Sequence, residues 1–147
     1  MSGQNPQFEL KHIYIKDLSF ESPQSPEIFQ KEWNPAISVD LSCESRKFSE
    51  EGYEVSLQVT VTAKDNEHDV YIAEAHQAGI FLARNFEKEQ LNHFLNVYCP
   101  SLLFPYLRES ISGLVTRGGF TPIYLAPVNF DLLFQQQAEA KVNNRTV

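Results

Sequence analysis

The sequence predicts an α+β fold in which a four-stranded antiparallel sheet is followed by helices packed on one of its faces. Three observations support this prediction: apolar and polar residues alternate in the first half, apolar residues take a helical period in the second half, and 147 residues suit one domain. We assign residues 1–134 to this single domain. Residues 135–147 are polar, and we expect them to form a flexible C-terminal tail.

Three segments have the regular alternation of strands that keep one face in water. In residues 53–63 every second side chain is apolar and those between are mostly polar. Residues 36–45 repeat the pattern, and the turn-forming stretch between these two segments predicts a hairpin. A further strand is expected at about 69–84. These segments supply most of the predicted sheet.

The first strand, at about 7–21, alternates less regularly. We expect Tyr14 on its apolar side and Ile13 and Ile15 on its polar side. The connection to the next strand contains three prolines and many polar residues, which predicts a long crossover loop. Trp33, the only tryptophan, lies in this loop.

From Glu87 onward the apolar residues fall at helical spacing. Pro100 and Pro105 should interrupt or kink a helix, so we expect a short helix, a bend and a longer helix to about Arg117. The two glycines that follow provide a C-terminal stop. Asn129 is suited to cap a last helix.

The segment 118–134, GGFTPIYLAPVNFDLLF, joins the last two helices. Its glycines and prolines oppose regular structure, while its aromatic and aliphatic side chains carry as much apolar area as a buried strand. The residues alone leave two interpretations open: a loop that covers the protein's own core, or one wall of a binding surface. The candidate residues are Phe120, Ile123, Tyr124, Leu125 and Phe130.

The chain is acidic, with a formal net charge of −7 and an isoelectric point near 5.0. This argues against a nucleic-acid partner, whose phosphates are bound by clustered Lys and Arg. The sequence has neither a secretory signal nor a run of about 18 apolar residues. We therefore expect a cytoplasmic protein that does not insert into a membrane.

The outward side chains of the predicted sheet are mainly acidic. They belong either to an ordinary solvated surface or to a docking face for a basic partner, on which Ile72 beside Glu74 would add an apolar contact. The acidic residues of this face are Glu9, Asp17, Glu21, Asp40, Glu44, Glu54 and Glu74.

On the last predicted strand, the face opposite to Ile72 and Glu74 carries small or uncharged residues. They are Ala73, Ala75, Gln77 and Gly79. They suit the close approach of another surface. An assembly interface and a flat site beneath the protein's own helices explain them equally well.

No motif for nucleotide binding, metal-dependent hydrolysis or nucleophilic catalysis occurs in the sequence. Cys43 and Cys99 are interpreted as reduced, mostly buried thiols. His93 lies six residues before Cys99, but such a spacing is a weak indication of a catalytic pair. We expect a protein that is not an enzyme and that needs neither a cofactor nor a metal.

The chain resembles the SecB family of bacterial protein-export chaperones. The resemblance covers nearly all of Leu10 to Phe134, in order and without large gaps. It rests on the stretches YIKDLSFESPQSPEIFQKEWNP, YEVSLQVTVTA, AEAHQAGIF, YCPSLLFPYLRESISGLVTRGGF and LAPVNFDLLF.

The resemblance implies an ATP-independent holdase that keeps preproteins unfolded and passes them to the SecA motor for export. It also implies a homotetramer built as a dimer of dimers. Matching positions place three sets of residues in roles. In or beside the client groove lie Trp33, Phe120, Tyr124 and Leu125, with Ile123 and Phe130 of the same segment. The dock for the zinc-bearing tail of SecA is formed by Asp17, Glu21, Ile72 and Glu74. Tetramer formation involves Ala73, Ala75 and Gln77.

Two further functions stay open at this point. One is a SecB-like chaperone without an export role, for example one paired with a toxin system. The other is a small-molecule binding module or a thioesterase-like enzyme that uses the apolar loop as a pocket. The SecB family usually ends in a longer acidic tail, whereas here Lys141 and Arg145 accompany Glu139, so tail contacts with SecA also stay open.

Overall fold

The computed structural model describes residues 5–145, and the side chains of residues 5–139. Four strands form one antiparallel sheet in the spatial order β1-β4-β3-β2. The predicted α+β fold is confirmed, because the helices follow the strands in the chain. The strands are β1 (Gln7–Glu21), β2 (Ala36–Lys47), β3 (Gly52–Asp65) and β4 (His68–Arg84).

The connection between β1 and β2 crosses the whole sheet, because these two strands form its opposite edges. This crossover contains a short 3₁₀ turn at Glu27–Gln30, where Ile28 is buried in the core. Neighbouring Phe29 is exposed, and Trp33 is half-buried. The crossover thus brings aromatic side chains to one end of the sheet.

The faces predicted for Ile13, Tyr14 and Ile15 in the middle of β1 are wrong, because two bulges shift the alternation there. The pairing with β4 is irregular between Leu10 and His12 and again between Ile15 and Asp17. Each bulge inserts one extra residue, which reverses the parity of those that follow. Ile13 and Ile15 therefore share a face with the core, while Tyr14 lies on the other face.

The helical layer begins with α1 (Lys88–His93) and continues through a π-helical turn at Phe94–Tyr98 into α2 (Cys99–Arg117). The predicted end at Arg117 is confirmed. The π turn joins the two helices, and Pro100 follows almost directly after it in the first turn of α2. Pro105 lies within α2 without ending it.

The last helix, α3, spans Phe130–Arg145. Asn129 caps it as predicted, since the backbone N–H of Leu132 donates to its Oδ1 at 3.0 Å. The helix includes most of the segment predicted as a tail. Residues 146 and 147 and the side chains of Lys141 and Arg145 lie outside the described part.

Helix α2 packs on one face of the sheet, here called the helix face; the other is called the open face. Leu103, Leu107 and Ile111 of α2 are fully buried with the apolar side chains of β3. In the described part of the chain, no helix is both long enough and apolar enough to span a membrane.

Candidate binding surfaces

An aromatic cluster surrounds Phe120 at one end of the helix face. The ring centroid of Phe120 lies 4.9 Å from that of Tyr71, 5.1 Å from that of Phe29, and 6.2 Å from those of Phe20 and Trp33. These separations lie within or near the range of favourable aromatic pairs. The cluster draws on β1, the crossover, β4 and the segment after α2.

The cluster lines an open groove of about 490 Å³ between the crossover and the segment 119–123. Its lining is mainly apolar, and its charged member, Lys31, pairs with Asp65 at 3.1 Å. Phe29 is 52% exposed, so part of this aromatic surface faces solvent. The groove is lined by Ile28, Phe29, Lys31, Trp33, Pro35, Ile37, Tyr71, Gly119, Phe120, Thr121, Pro122 and Ile123.

Two glycines let the chain turn tightly into this groove after α2. A Cβ atom at Gly118 would lie only 2.1 Å from Cζ of Phe20, so a larger residue would displace that ring. Gly119 has a φ of +91°, which L-residues rarely adopt. The glycine pair therefore both ends α2 and brings Phe120 against the cluster.

The structure divides the six predicted groove residues into three groups. Trp33, Phe120 and Ile123 line the groove. Leu125 and Phe130 are buried in the core, where the ring of Phe130 lies 5.9 Å from that of Phe104. Tyr124 is 75% exposed and lies in a separate depression of about 580 Å³ on the outer surface of α2.

Sequence reasoning missed Phe29, Ile37 and Tyr71 as groove residues. Ile37 and Tyr71 lie within the segments predicted as strands, 36–45 and about 69–84, and the alternation of a strand does not indicate a groove. The sequence contained one usable signal: Phe29 lies between prolines in a connection too polar to form a core.

The four predicted docking residues share the open face. Glu21 pairs with Ile72 across β1 and β4, and Ser19 pairs with Glu74 one row along. Asp17 pairs with His76 in the next row. Asp17, Glu21, Ile72 and Glu74, together called the acidic patch, therefore occupy three consecutive rows of the open face.

The carboxylates of the acidic patch form no ion pair with any described residue. Glu74 instead accepts hydrogen bonds from Ser19 Oγ at 3.3 Å and Thr60 Oγ1 at 3.2 Å. At the other end of the same face Lys11 pairs with Glu9. Negative charge is thus left uncompensated at one end of the open face.

Unlike the carboxylates of the acidic patch, Glu54 is buried, at 8% exposure, and its carboxylate is bonded to positively charged and hydroxyl groups. It accepts hydrogen bonds from the Tyr14 hydroxyl, from Lys16 Nζ at 3.1 Å and from Arg46 at 3.5 Å. The bond from Tyr14, followed by the contacts with Lys16, lowers the pKa of Glu54. Burial and the Glu54 carboxylate raise the pKa of Tyr14 to about 12.

Ala73, Ala75 and Gln77 lie on the helix face beneath α2 and are buried within the single chain. Gln77 Nε2 donates to the Tyr14 carbonyl oxygen at 3.3 Å, and its Oε1 accepts a hydrogen bond from Ser110 Oγ at 3.1 Å. Gln77 thus connects β1 with α2. Of the two origins considered for these small side chains, this placement matches the site beneath the protein's own helices.

Neither cysteine has the surroundings of a nucleophile. Cys99 is fully buried, which raises its pKa, and burial raises the pKa of Cys43 to about 11. His93 pairs with Asp131 at 3.6 Å. Within residues 5–139 no group of three His, Cys, Asp or Glu side chains is placed to hold a metal ion.

The fold presents two separate candidate binding surfaces, an aromatic groove on the helix face and an acidic patch on the open face. Comparison with known proteins identifies the family. The family model described as preprotein translocase subunit SecB matches residues 1–141. The chain therefore belongs to the SecB family of protein-export chaperones.

Individual relatives agree with this assignment. Protein-export protein SecB of Pseudomonas aeruginosa is 51% identical over 135 residues, which cover 91% of this chain and 83% of the relative. The SecB of Stutzerimonas stutzeri is 49% identical over 134 residues, covering 91% and 82%.

A solved structure has the same fold. It is a SecB-like chaperone of Mycobacterium tuberculosis in complex with a peptide from the HigA1 antitoxin, at 16% identity and a TM-score of 0.67. The match covers 82% of this chain and 90% of that one.

Proposed function

We propose that this protein is an ATP-independent holdase that binds unfolded preproteins in its aromatic groove and delivers them to SecA for export across the inner membrane. The observation that carries the proposal is an open, mainly apolar groove in a chain of the SecB family. Trp33, Phe120, Ile123 and Phe29 would contact the client. Leu125 and Phe130 would hold the groove wall from the core side, and Tyr124 would extend the contact surface beyond it.

The groove has the physical properties that a holdase requires. A protein that binds only the unfolded state draws population from the folded state by mass action. It needs affinity without sequence discrimination, and aromatic surface supplies area with little directional demand. The pairing of Lys31 with Asp65 keeps the groove from selecting clients by charge at this position.

Replacing Phe29 tests the groove directly. Phe29→Ala removes a solvent-exposed ring from the groove, so we expect the dissociation constant for a denatured preprotein to rise about tenfold, as for an aromatic hot spot. Fluorescence anisotropy with a labelled preprotein held unfolded measures this without ATP. The matched control is Phe48→Ala, because Phe48 is similarly exposed, at 46%, but lies in the turn between β2 and β3 and does not line the groove. If both variants bound the preprotein as tightly as the parent protein, the groove would not be the client-binding site.

We assign the docking of SecA to the acidic patch. One support is its negative charge, which no described ion pair compensates and which would attract the basic, zinc-bearing tail of SecA. A second is Ile72, which adds a neighbouring apolar contact. This role also distinguishes an export chaperone from a SecB-like chaperone with another task. The Mycobacterium tuberculosis neighbour, solved with an antitoxin peptide, represents that second possibility.

Reversing one charge of the patch tests the docking role. Glu74→Lys places a positive charge between Ser19 and Thr60 and should weaken binding of a zinc-loaded SecA tail peptide at least tenfold. Isothermal titration measures the affinity, and Glu89→Lys on α1 is the control with the same change of charge. An unchanged affinity of Glu74→Lys would exclude the patch and favour a function outside export.

We further propose that the protein acts as a cytoplasmic homotetramer, a dimer of dimers. Ile15 and Leu18 of edge strand β1 are 42% and 39% exposed, and Tyr106 on α2 is 49% exposed, which leaves apolar area for contacts between copies. Ala73, Ala75 and Gln77 would then affect assembly indirectly, by setting the position of α2. Several grooves in one particle would add avidity for a long client.

Membership in a chaperone family points to a protein that is not an enzyme. We propose that neither a cofactor nor a metal of its own takes part in client binding.

A further inference from the structure

We propose that Asp65, at the end of β3, is a positioning residue for client binding. Through its ion pair with Lys31 it holds the crossover, residues 22–35, against the sheet, so that Phe29 and Trp33 keep their places in the groove. Asp65 itself does not line the groove. The inference rests on the client-binding role proposed above for the groove, and it extends that role to a residue that the client does not touch.

The crossover is attached to the sheet by side chains rather than by its backbone. Among the described residues, its hydrogen bonds to other backbone groups all stay within residues 22–35. Ile28 is buried in the core and anchors the middle of the segment. Phe29 beside it is 52% exposed, so burial in the core does not fix this ring. The position of the ring therefore depends on what holds the chain on either side of it.

Two side-chain contacts hold the crossover on either side of the 3₁₀ turn. Before the turn, Gln24 Nε2 donates to the carbonyl oxygen of Asp69 at 2.9 Å. After it, Lys31 Nζ pairs with Asp65 Oδ2 at 3.1 Å. Both acceptors flank the tight connection between β3 and β4, whose two residues have φ values of +50° and +69°, as in a type I′ turn. The crossover is thus fastened to a short hairpin turn of the sheet.

The pair of Lys31 and Asp65 is the contact closest to the aromatic rings. Lys31 lies two residues after Phe29 and two residues before Trp33. The side chain of Asp65 is only 12% exposed, and a carboxylate so far removed from water needs a partner. A crossover that is fixed before the client arrives loses less conformational freedom on binding, which favours a higher affinity.

The first test compares client affinities of two variants with the same change of charge. Asp65→Asn keeps the size of the side chain and removes its charge. We expect the dissociation constant for a labelled, denatured preprotein to rise about two- to fivefold in fluorescence anisotropy, the range that one ion pair supports. Asp69→Asn is the matched control. The Asp69 side chain pairs with Lys64 of the same turn at 4.0 Å, and its backbone carbonyl still accepts the bond from Gln24.

The second test observes the crossover directly, without a client. Trp33 is the only tryptophan of the chain, and its half-buried ring lies 6.2 Å from that of Phe120. Quenching of its fluorescence by acrylamide should rise in Asp65→Asn and in Lys31→Gln, which breaks the same pair from the other side. Asp69→Asn should be quenched as the parent protein is. Far-ultraviolet circular dichroism establishes that each variant is folded, so the quenching reports the position of Trp33 and not unfolding.

The two readouts separate the possible failures. Parental quenching in Asp65→Asn would show that this residue does not hold the crossover. Increased quenching with parental affinity would show that the held position does not matter for clients. Either result would overturn the inference, while a weakened Phe29→Ala variant would leave the proposed function intact. Parental affinity of Phe29→Ala would instead overturn the client-binding role of the groove, and that of Asp65 with it.

Discussion

Glu54 is a single residue whose partners span the open face. It lies on β3, and its carboxylate is bonded to Tyr14 and Lys16 of β1 and to Arg46 of β2. Tyr14 reaches it across Ala78, a small residue that pairs with Tyr14 on β4. Hydrogen bonds to a charged, buried group are among the stronger ones in proteins.

Replacement of Glu54 by Gln should lower the free energy of unfolding by about 1–3 kcal/mol at pH 7, because the charge-assisted bonds are lost. The folded-state pKa of Glu54 is lowered, so its stabilising effect is present above the ordinary carboxyl pKa of 4.5 and is lost as the pH falls through the folded value. The difference between parent and variant should therefore shrink by pH 3.5. Urea denaturation at both pH values measures it.

Glu9→Gln provides the control for this prediction. Among the described residues Glu9 pairs only with Lys11, at 3.5 Å, and both side chains are about half exposed or more. Exposed pairs of this kind contribute little. If Glu54→Gln were as stable at pH 7 as Glu9→Gln, the Glu54 bonds would have no role in stability.

At the residue scale, the sequence predicted the charge of the open face better than the direction in which individual side chains point. The acidic character of the open face follows from the alternation of the strands and was predictable. The burial of Glu54 was not, because it depends on Tyr14 pointing to the open face. That orientation results from bulges in β1, which a pattern of single residues does not reveal.

At the scale of elements, the turn after α2 shapes the groove. Gly118 has a helical conformation, with a φ of −74°, so its backbone alone would accept other residues. The constraint comes from Phe20, whose ring occupies the place of a Cβ atom and stacks on Tyr71 at 5.7 Å. A small residue is therefore required by packing at this position.

Gly118→Ala should lower the free energy of unfolding by about 1–3 kcal/mol, since an added methyl group overpacks the site and displaces Phe20. Gly113→Ala within α2 is the matched control. Apart from its chain neighbours and the backbone of its own helix, no described atom lies within 4 Å of its added Cβ, and alanine favours a helix by about 0.5–1 kcal/mol over glycine. Thermal denaturation of both variants measures the effect. If the Gly118→Ala variant were as stable as the parent, the ring of Phe20 would be able to move aside without lowering the free energy of unfolding.

Element boundaries in the helical half followed from familiar signals. Asn129 and the glycine pair mark the ends that flank the apolar segment, and both lie where the sequence predicted them. The π turn at Phe94–Tyr98 was not predictable from the prolines. A proline shows that a helical hydrogen bond is missing but does not show how the chain compensates.

At the scale of the whole molecule, the groove joins segments that are far apart in the chain. Its walls come from the crossover and from the segment after α2, and its floor includes Tyr71. Sequence reasoning could name Trp33 and Phe120, which stand out by type and context. It could not separate them from Leu125 and Phe130, because burial depends on which side of the segment faces α2.

An acidic surface helps a protein with an exposed aromatic groove to stay in solution. Apolar surface promotes association, and a net charge of −7 on each chain opposes it. In the proposed function, Phe29 is exposed to clients while the protein remains dispersed. The acidic patch would serve both this purpose and the docking of SecA.

Native mass spectrometry of the protein mixed with a denatured preprotein tests the proposed holdase most directly. We expect particles of four times the chain mass of 16.8 kDa, and the same particles carrying one preprotein, in equal amounts with and without ATP. Particles that carry no preprotein at micromolar concentration, or carry it only when ATP is present, would contradict an ATP-independent holdase.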